Sequence, residues 1–130
     1  MKNVTVILAA IIFLTSCAST TPKESERSIL GNWDAHGTFE GKAFVLEGRF
    51  KPGGDYDGFD NGKLFVSGKY RLAGDTIFIK DGLCNMTYEG AYKLTYYKDS
   101  VRFNVIEDTC IGRKNGSDKL AMGRIASSKN

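Results

Sequence analysis

The sequence predicts an all-β fold, an antiparallel eight-stranded barrel whose strands follow one another in up-and-down order. Three observations lead to this prediction. Turn-forming residues such as Pro52-Gly53-Gly54 and Asp60-Asn61-Gly62 recur at short intervals, and these residue types accept the backbone conformations of tight turns. The segments between the turns are short and rich in Phe, Tyr, Val, Ile and Thr. Within them apolar and polar side chains alternate, as in strands with one buried face.

The alternation assigns the strands in chain order. The first has Ile29, Trp33 and Phe39 on its inward face, the second ends at Phe50, and a brief third covers Tyr56–Phe59. The residues expected to face inward in the five later segments are Leu64, Val66, Tyr70 and Leu72; Ile77 and Ile79; Tyr88, Tyr92, Leu94 and Tyr96; Val101, Phe103 and Val105; and Leu120 and Met122. No segment carries a 3.6-residue period long enough to predict a helix.

Glycines on the inward face favour a closed barrel over a flat sandwich. They are Gly31, Gly37, Gly48, Gly68 and Gly90. A sheet that coils on itself crowds its inner face, and glycine relieves that crowding at bends and bulges. An eight-stranded barrel has an interior that side chains nearly fill or that holds one small ligand.

The start of the chain predicts export and lipid attachment. Lys2 precedes an apolar run from Val4 to Phe13, and small residues follow, which is the order of a secretory signal. The run is shorter than the ~20 apolar residues that span a bilayer. Its end, Leu14-Thr15-Ser16-Cys17, resembles the lipobox of bacterial lipoproteins, in which the cysteine becomes the first residue and is acylated. The resemblance implies a protein of the bacterial cell envelope that is held on a membrane by palmitate or a similar acyl chain at Cys17.

This assignment divides the chain into a signal peptide at 1–16, a lipidated cysteine with a flexible tether at 17–28, and a barrel domain at 29–126. The tether is rich in Ser, Thr, Pro, Lys and Glu. Ala18 follows the cysteine, and the lack of aspartate there resembles proteobacterial routing to the outer membrane, which we expect over the inner one. The 114 residues that remain of 130 after removal of 16 suit one domain.

The charge pattern argues against a nucleic-acid partner. Loss of Lys2 leaves 17 basic residues of the 18 in the whole chain, against 15 acidic ones, and the two signs are interspersed. Nucleic-acid binding needs a positive stripe that this sequence does not contain.

Cys84 and Cys110 are predicted to form a disulfide, because an exported compartment permits disulfides and Cys17 belongs to the lipid. A regular hairpin with its turn at Lys98-Asp99 would leave the two cysteines about three residues, or ~10 Å, out of register. We therefore expect the loop Asp81–Met86 to fold back, with a bulge in the hairpin as the alternative.

No motif for catalysis, a cofactor or a metal is present, and we expect a protein that is not an enzyme and has no cofactor. Asp55, Asp57 and Asp60 form the densest acidic cluster, but Phe59 stands where a calcium loop needs an oxygen ligand. Turn chemistry explains the cluster instead. His36 falls on an outward face without a nucleophile in a recognisable motif.

Two motifs carry a resemblance to a known family. Gly31-Asn32-Trp33 resembles the Gly-x-Trp signature of lipocalins and other calycins, and the residues from Asp108 to Arg113 are similar to an Asp-x-Cys-x-Gly-Arg ending of bacterial lipocalin-like lipoproteins. The resemblance implies a lipocalin-like barrel in which a basic side chain lies across the tryptophan ring and closes one end. By this resemblance Arg113 or Arg124 covers Trp33.

The inward tyrosines are the predicted ligand-binding residues. Tyr70, Tyr88, Tyr92 and Tyr96 combine an aromatic body with a polar tip, which suits an apolar ligand that has one polar end. The alternative, that they simply fill the barrel, stays open.

The function expected from the sequence is therefore the non-catalytic binding of a small apolar ligand by a lipid-anchored barrel. The alternative is a protein-interaction barrel with an envelope protein as its partner, for example an inhibitor of an exported hydrolase. The first predicts an open mouth. The second predicts a filled core and a protruding loop, for which Gly53–Gly62 is the strongest candidate.

Overall fold

A computed structural model describes residues 27–126, which form a closed barrel of eight antiparallel strands in sequence order, with β8 paired to β1. The strands are β1 Gly31–Phe39, β2 Lys42–Phe50, β3 Asp55–Asp60, β4 Lys63–Ala73, β5 Thr76–Asp81, β6 Gly90–Tyr96, β7 Ser100–Glu107 and β8 Ala121–Arg124. A short helix, α1 Ile111–Ser117, separates β7 from β8. The predicted fold class is confirmed. The predicted signal peptide, Cys17 and most of the predicted tether lie outside the described residues.

The inward side chains form a single core inside the barrel. Trp33, Ile77, Tyr92 and Val101 are completely or almost completely buried, and they lie on strands from opposite sides of the barrel. The rest of the apolar core is Ile29, Phe50, Tyr56, Val66, Ile79, Leu94, Phe103 and Met122. The alternation in the sequence predicted this face for all of them except Tyr56, whose short segment was given no inward face.

Three residues predicted to face inward are instead exposed. Phe39 is 70 % exposed, and Leu64 and Leu72 are about half exposed. Each lies next to a hairpin turn, where the strands extend beyond the packed interior. A side chain that points inward at these positions has no facing strand to pack against. The prediction of burial is therefore wrong for these three residues.

Two of the inward positions require glycine because neighbouring atoms lie too close to leave room for a Cβ atom. A Cβ atom on Gly68 would lie 2.4 Å from the carbonyl oxygen of Lys80, and one on Gly90 would lie 2.1 Å from Oδ2 of Asp108. Both distances are far below van der Waals contact. These glycines make room for the buried carboxyl side chains of Asp81 and Asp108.

The disulfide between Cys84 and Cys110 is confirmed, with its Cα atoms 5.8 Å apart. Cys84 lies in the loop between β5 and β6, as expected, and Cys110 immediately precedes α1. The β6–β7 ladder also shifts register, between Ala91 and Tyr92.

Helix α1 was not predicted. Its sequence contains two glycines, which lower helix propensity by about 1 kcal/mol each, and its buried residue is Arg113 rather than an apolar one. The disulfide at its start and the contacts of Arg113 hold it against the barrel.

Candidate functional site

The two ends of the barrel have different structures. The closed end contains the start of β1, the end of β8 and the segment before β1. The open end contains the β1–β2 and β3–β4 hairpins, the loop between β5 and β6, and α1. The candidate site lies inside the open end.

The closed end is sealed by Trp33 and Arg124. The indole N–H of Trp33 donates to the carbonyl oxygen of Ile29 at 2.7 Å. The guanidinium carbon of Arg124 lies 4.1 Å from the centroid of the Trp33 ring. Its Nη1 and Nη2 atoms donate to the carbonyls of Leu30 at 3.0 Å and Ser28 at 2.8 Å.

The sequence predicted that either Arg113 or Arg124 covers Trp33. In the structure Arg124 does so, and Arg113 pairs with Asp108 instead. Gly31 starts β1 at a φ of 111°, a conformation that favours glycine, and a Cβ there would lie 3.5 Å from Nη1 of Arg124.

A cavity of about 160 Å³ occupies the interior toward the open end. Its wall is mainly apolar. The apolar residues that line it include Leu46, Phe50, Val66, Phe103, Leu120 and Met122. Phe65 and Leu83, each about half exposed, also line it and stand where it meets solvent. Gly112 and Gly116 of α1 leave space along the helix side of the cavity.

A buried ion pair lies at the polar side of this cavity. Arg113 is only 3 % exposed, and it donates through Nε to Oδ2 of Asp108 at 2.7 Å and through Nη2 to Oδ1 at 3.0 Å. The Tyr92 hydroxyl donates to Oδ2 of the same carboxylate, and the Cys110 N–H donates to Oδ1 at 2.8 Å. Four donors therefore hold the Asp108 carboxylate in place.

A second buried carboxylate faces the other side of Arg113. Oδ1 of Asp81 lies 3.4 Å from Nη1 of Arg113 and accepts from the backbone N–H of Leu83 at 3.0 Å. The Tyr56 hydroxyl donates to Oδ2 of Asp81. The neighbours of both Asp81 carboxyl oxygens are therefore nitrogen or oxygen atoms that carry a proton.

The protonation of this cluster follows from burial and hydrogen bonding. Burial opposes ionisation of Asp108, but the bonds from Arg113, Tyr92 and the Cys110 N–H outweigh it and lower the pKa of Asp108. Burial and the neighbouring carboxylates raise the pKa of Tyr56 and of Tyr92. Both tyrosines thus keep the proton that they donate.

One donor of the cluster is unused. Among the described residues, Nη1 of Arg113 is a buried polar atom without a hydrogen-bond partner, since its approach to Asp81 is long for a hydrogen bond. Arg113, Asp81 and Tyr56 all line the cavity. The cavity therefore combines an apolar body with a polar corner, which is the general arrangement of a small-molecule site, and Glu47 and Ser117 also border it.

The four predicted ligand-binding tyrosines do not line this cavity. The structure spreads them over the barrel. Tyr92 lies within the buried cluster, and the Tyr88 hydroxyl, in the loop before β6, accepts from the N–H of Thr109 at 3.2 Å. The hydroxyl of Tyr70 donates to the carbonyl of Lys51 at 2.7 Å, and Tyr96 packs half-buried against the core.

Sequence reasoning missed Asp81 and Tyr56 as site residues and did not place Arg113 inside the barrel. A signal for Asp81 was present, because it continues the inward alternation of Ile77 and Ile79. Nothing in the sequence pattern paired it with Arg113, which reaches it from a helix that the pattern did not predict.

The acidic cluster of β3 belongs to the barrel wall. Asp57 accepts from Lys51 and from Ser67, and Asp55 pairs with Lys69. Most of the segment Gly53–Gly62 is strand rather than the protruding loop proposed for an inhibitor, so that expectation is corrected.

Within residues 27–126, no three or more His, Cys, Asp or Glu side chains are grouped so that they would hold a metal ion. The described part of the chain also has no helix of the length and apolar character needed to cross a membrane.

Comparisons with known proteins found no family model, no curated protein and no solved structure that matches the chain.

Proposed function

We propose that this protein is a lipid-anchored lipoprotein of the bacterial envelope whose lipocalin-like barrel binds a small apolar ligand without catalysis. The observation that carries the proposal is the cavity of about 160 Å³ with mainly apolar walls at the open end. A cavity of roughly 150 Å³ accommodates a benzene ring. The expected ligand therefore places a ring or a short aliphatic chain inside the barrel, and any longer part extends past Phe65 and Leu83.

The surroundings of the cavity support binding rather than a filled core. Phe50 and Phe103 pack with ring centroids 6.3 Å apart deep in the barrel, yet both still border open space. The free Nη1 of Arg113 supplies a polar contact that orients a ligand. The alternative, an inhibitor of an exported hydrolase, loses its strongest candidate loop because Gly53–Gly62 is largely β3.

Native mass spectrometry of the chain purified from bacterial envelopes tests the binding proposal. We expect a reproducible extra mass that disappears on denaturation. A bare protein mass in every preparation would contradict ligand binding and would favour the protein-interaction alternative.

A pair of variants on one strand locates the ligand. Leu46 lines the cavity, whereas its neighbour Val45 points to the other face of β2. Leu46→Phe is expected to reduce the bound fraction because the larger ring occupies cavity volume, and Val45→Phe is expected to leave it unchanged. Equal effects of the two substitutions would place the ligand elsewhere.

The lipid anchor has its own test. Labelled palmitate fed to the producing bacterium is expected to enter the unaltered chain and not the Cys17→Ser variant. Equal labelling of both would remove Cys17 as the acylated residue.

A further inference from the structure

We propose that the open-end cavity selects a neutral alcohol: a ring or short chain of about the size of benzene that carries a hydroxyl group, in preference to the matching carboxylate. The inference deepens the proposed function and rests on it. It follows from three features of the polar corner formed by Arg113, Asp81 and Tyr56.

The first feature is a donor and an acceptor side by side. Nη1 of Arg113 is buried without a partner among the described residues, and Oδ1 of Asp81 lies 3.4 Å from it. A hydroxyl oxygen can accept from Nη1 while its proton is donated to Oδ1. A carboxylate accepts only, so it could use the first atom and would be repelled by the second.

The second feature is the buried charge. Two carboxylates, Asp81 and Asp108, surround one guanidinium, and all three groups are almost completely buried. The cluster carries a formal charge of −1, from one positive and two negative groups. A ligand carboxylate would change the net charge of the cluster and ligand to −2. In a site of low dielectric constant such an uncompensated charge is energetically unfavourable. A hydroxyl adds no charge.

The third feature is that the two-pronged face of Arg113 is already occupied. Its Nε and Nη2 atoms hold both oxygens of Asp108. The side-on pair of donors, Nε with Nη2, is therefore not available to a ligand carboxylate. Nη1 is the nitrogen of Arg113 that has no hydrogen-bond partner among the described residues, and a single hydroxyl oxygen can accept from it.

Calorimetric titration of the purified full chain at pH 7 with toluene, benzyl alcohol and benzoate tests the inference, because the three probes share one ring. We expect benzyl alcohol to bind at least about tenfold more tightly than benzoate, which corresponds to about 1.4 kcal/mol. We also expect it to bind more tightly than toluene, which lacks the hydroxyl.

The outcomes separate the inference from the proposed function. If toluene and benzyl alcohol bind equally, or if benzoate binds as tightly as benzyl alcohol, the cavity binds ligands and the selectivity inference is wrong. If none of the three binds, the proposed function falls and the inference falls with it.

A charge variant sharpens the test. Asp81→Asn removes one negative charge while retaining an oxygen that can accept a hydrogen bond, so the preference for benzyl alcohol over benzoate is expected to fall by about tenfold. Asp99→Asn removes the same charge from an exposed turn at the closed end and is expected to leave the preference unchanged. An unchanged preference in a folded Asp81→Asn protein would overturn the charge argument. The comparison of ligands on the unaltered chain stands whether or not this variant folds.

Discussion

Each end of the barrel contains an arginine with several partners, but the two arginines use their donors differently. At the closed end, Arg124 covers the Trp33 ring, and both of its terminal nitrogens donate to backbone carbonyls. At the open end, Arg113 gives two donors to Asp108 and leaves Nη1 unused beside a cavity. Arg124 therefore stabilises the closed end through its contacts, whereas Arg113 keeps one buried donor nitrogen that the proposed ligand could contact.

The surroundings explain this difference. Arg124 donates to main-chain carbonyls of the segment before β1, and the indole beneath its guanidinium is 1 % exposed. Arg113 projects from a glycine-rich helix, and Gly112 and Gly116 leave open volume next to it. The small residues beside the buried charge of Arg113 are thus what distinguishes the candidate site from the closed end.

The largest effect is expected at the closed end. Trp33→Ala removes a large side chain that is 1 % exposed, and it should lower the free energy of unfolding by about 3–5 kcal/mol. Urea unfolding followed by circular dichroism measures the loss. His36→Ala, on the outward face of the same strand, is the control and should change stability little. A loss below about 1 kcal/mol for Trp33→Ala would contradict its role in the seal.

Breaking the ion pair at the open end should have a somewhat smaller effect. Asp108→Asn leaves the buried guanidinium of Arg113 without its bidentate carboxylate, and we expect a loss of about 3 kcal/mol. Asparagine keeps the shape and one acceptor, which limits the loss. The exposed Asp60→Asn is the control for urea unfolding. Equal stability of the two variants would mean that the ion pair does not hold α1.

Loss of the closed-end arginine should lower the free energy of unfolding by less than either of these changes. Arg124→Met removes the stacking on Trp33 and two hydrogen bonds to carbonyls, with an expected loss of about 2 kcal/mol. Arg102→Met, an exposed arginine on β7, is the control. The Trp33 fluorescence should also shift to longer wavelength in Arg124→Met alone, because water reaches the uncovered ring. An unshifted spectrum would argue against the seal.

Acid provides the smallest and most gradual test. The pKa of Asp108 is lowered in the folded state, so its stabilising contribution is fully present above the ordinary value of 3.8 and is lost as the pH falls through the folded-state pKa. We expect stability to decline below about pH 3.8, by at most about 1.4 kcal/mol per pH unit for this one proton. The decline should be shallower in Asp108→Asn. Identical slopes in urea unfolding would exclude Asp108 as a contributor.

The sequence predicted the strands well because burial inside a barrel imposes a strict period of two. It located Trp33, Tyr92 and Phe103 on the inner face, and it paired Cys84 with Cys110. It failed where that rule stops applying, at Phe39 beside a hairpin turn.

The polar corner of the site lay beyond this reasoning. The alternation of Ile77 and Ile79 was not extended to Asp81, because a buried carboxylate becomes plausible only once its partners are known. Those partners are Tyr56 on another strand and Arg113 on α1, and the helix is held by a disulfide and an ion pair rather than by a sequence period. Long-range contacts of this kind leave no local pattern.

The most direct test of the contrast between the ends is methyl NMR of the full chain during a titration with benzyl alcohol. We predict that the methyl signals of Met122 and Leu46, which line the cavity, shift as the alcohol binds. The signals of Ile29, buried beneath the closed end, should stay in place. Shifts at Ile29 without shifts at Met122 and Leu46, or no shifts at all, would contradict a ligand site at the open end.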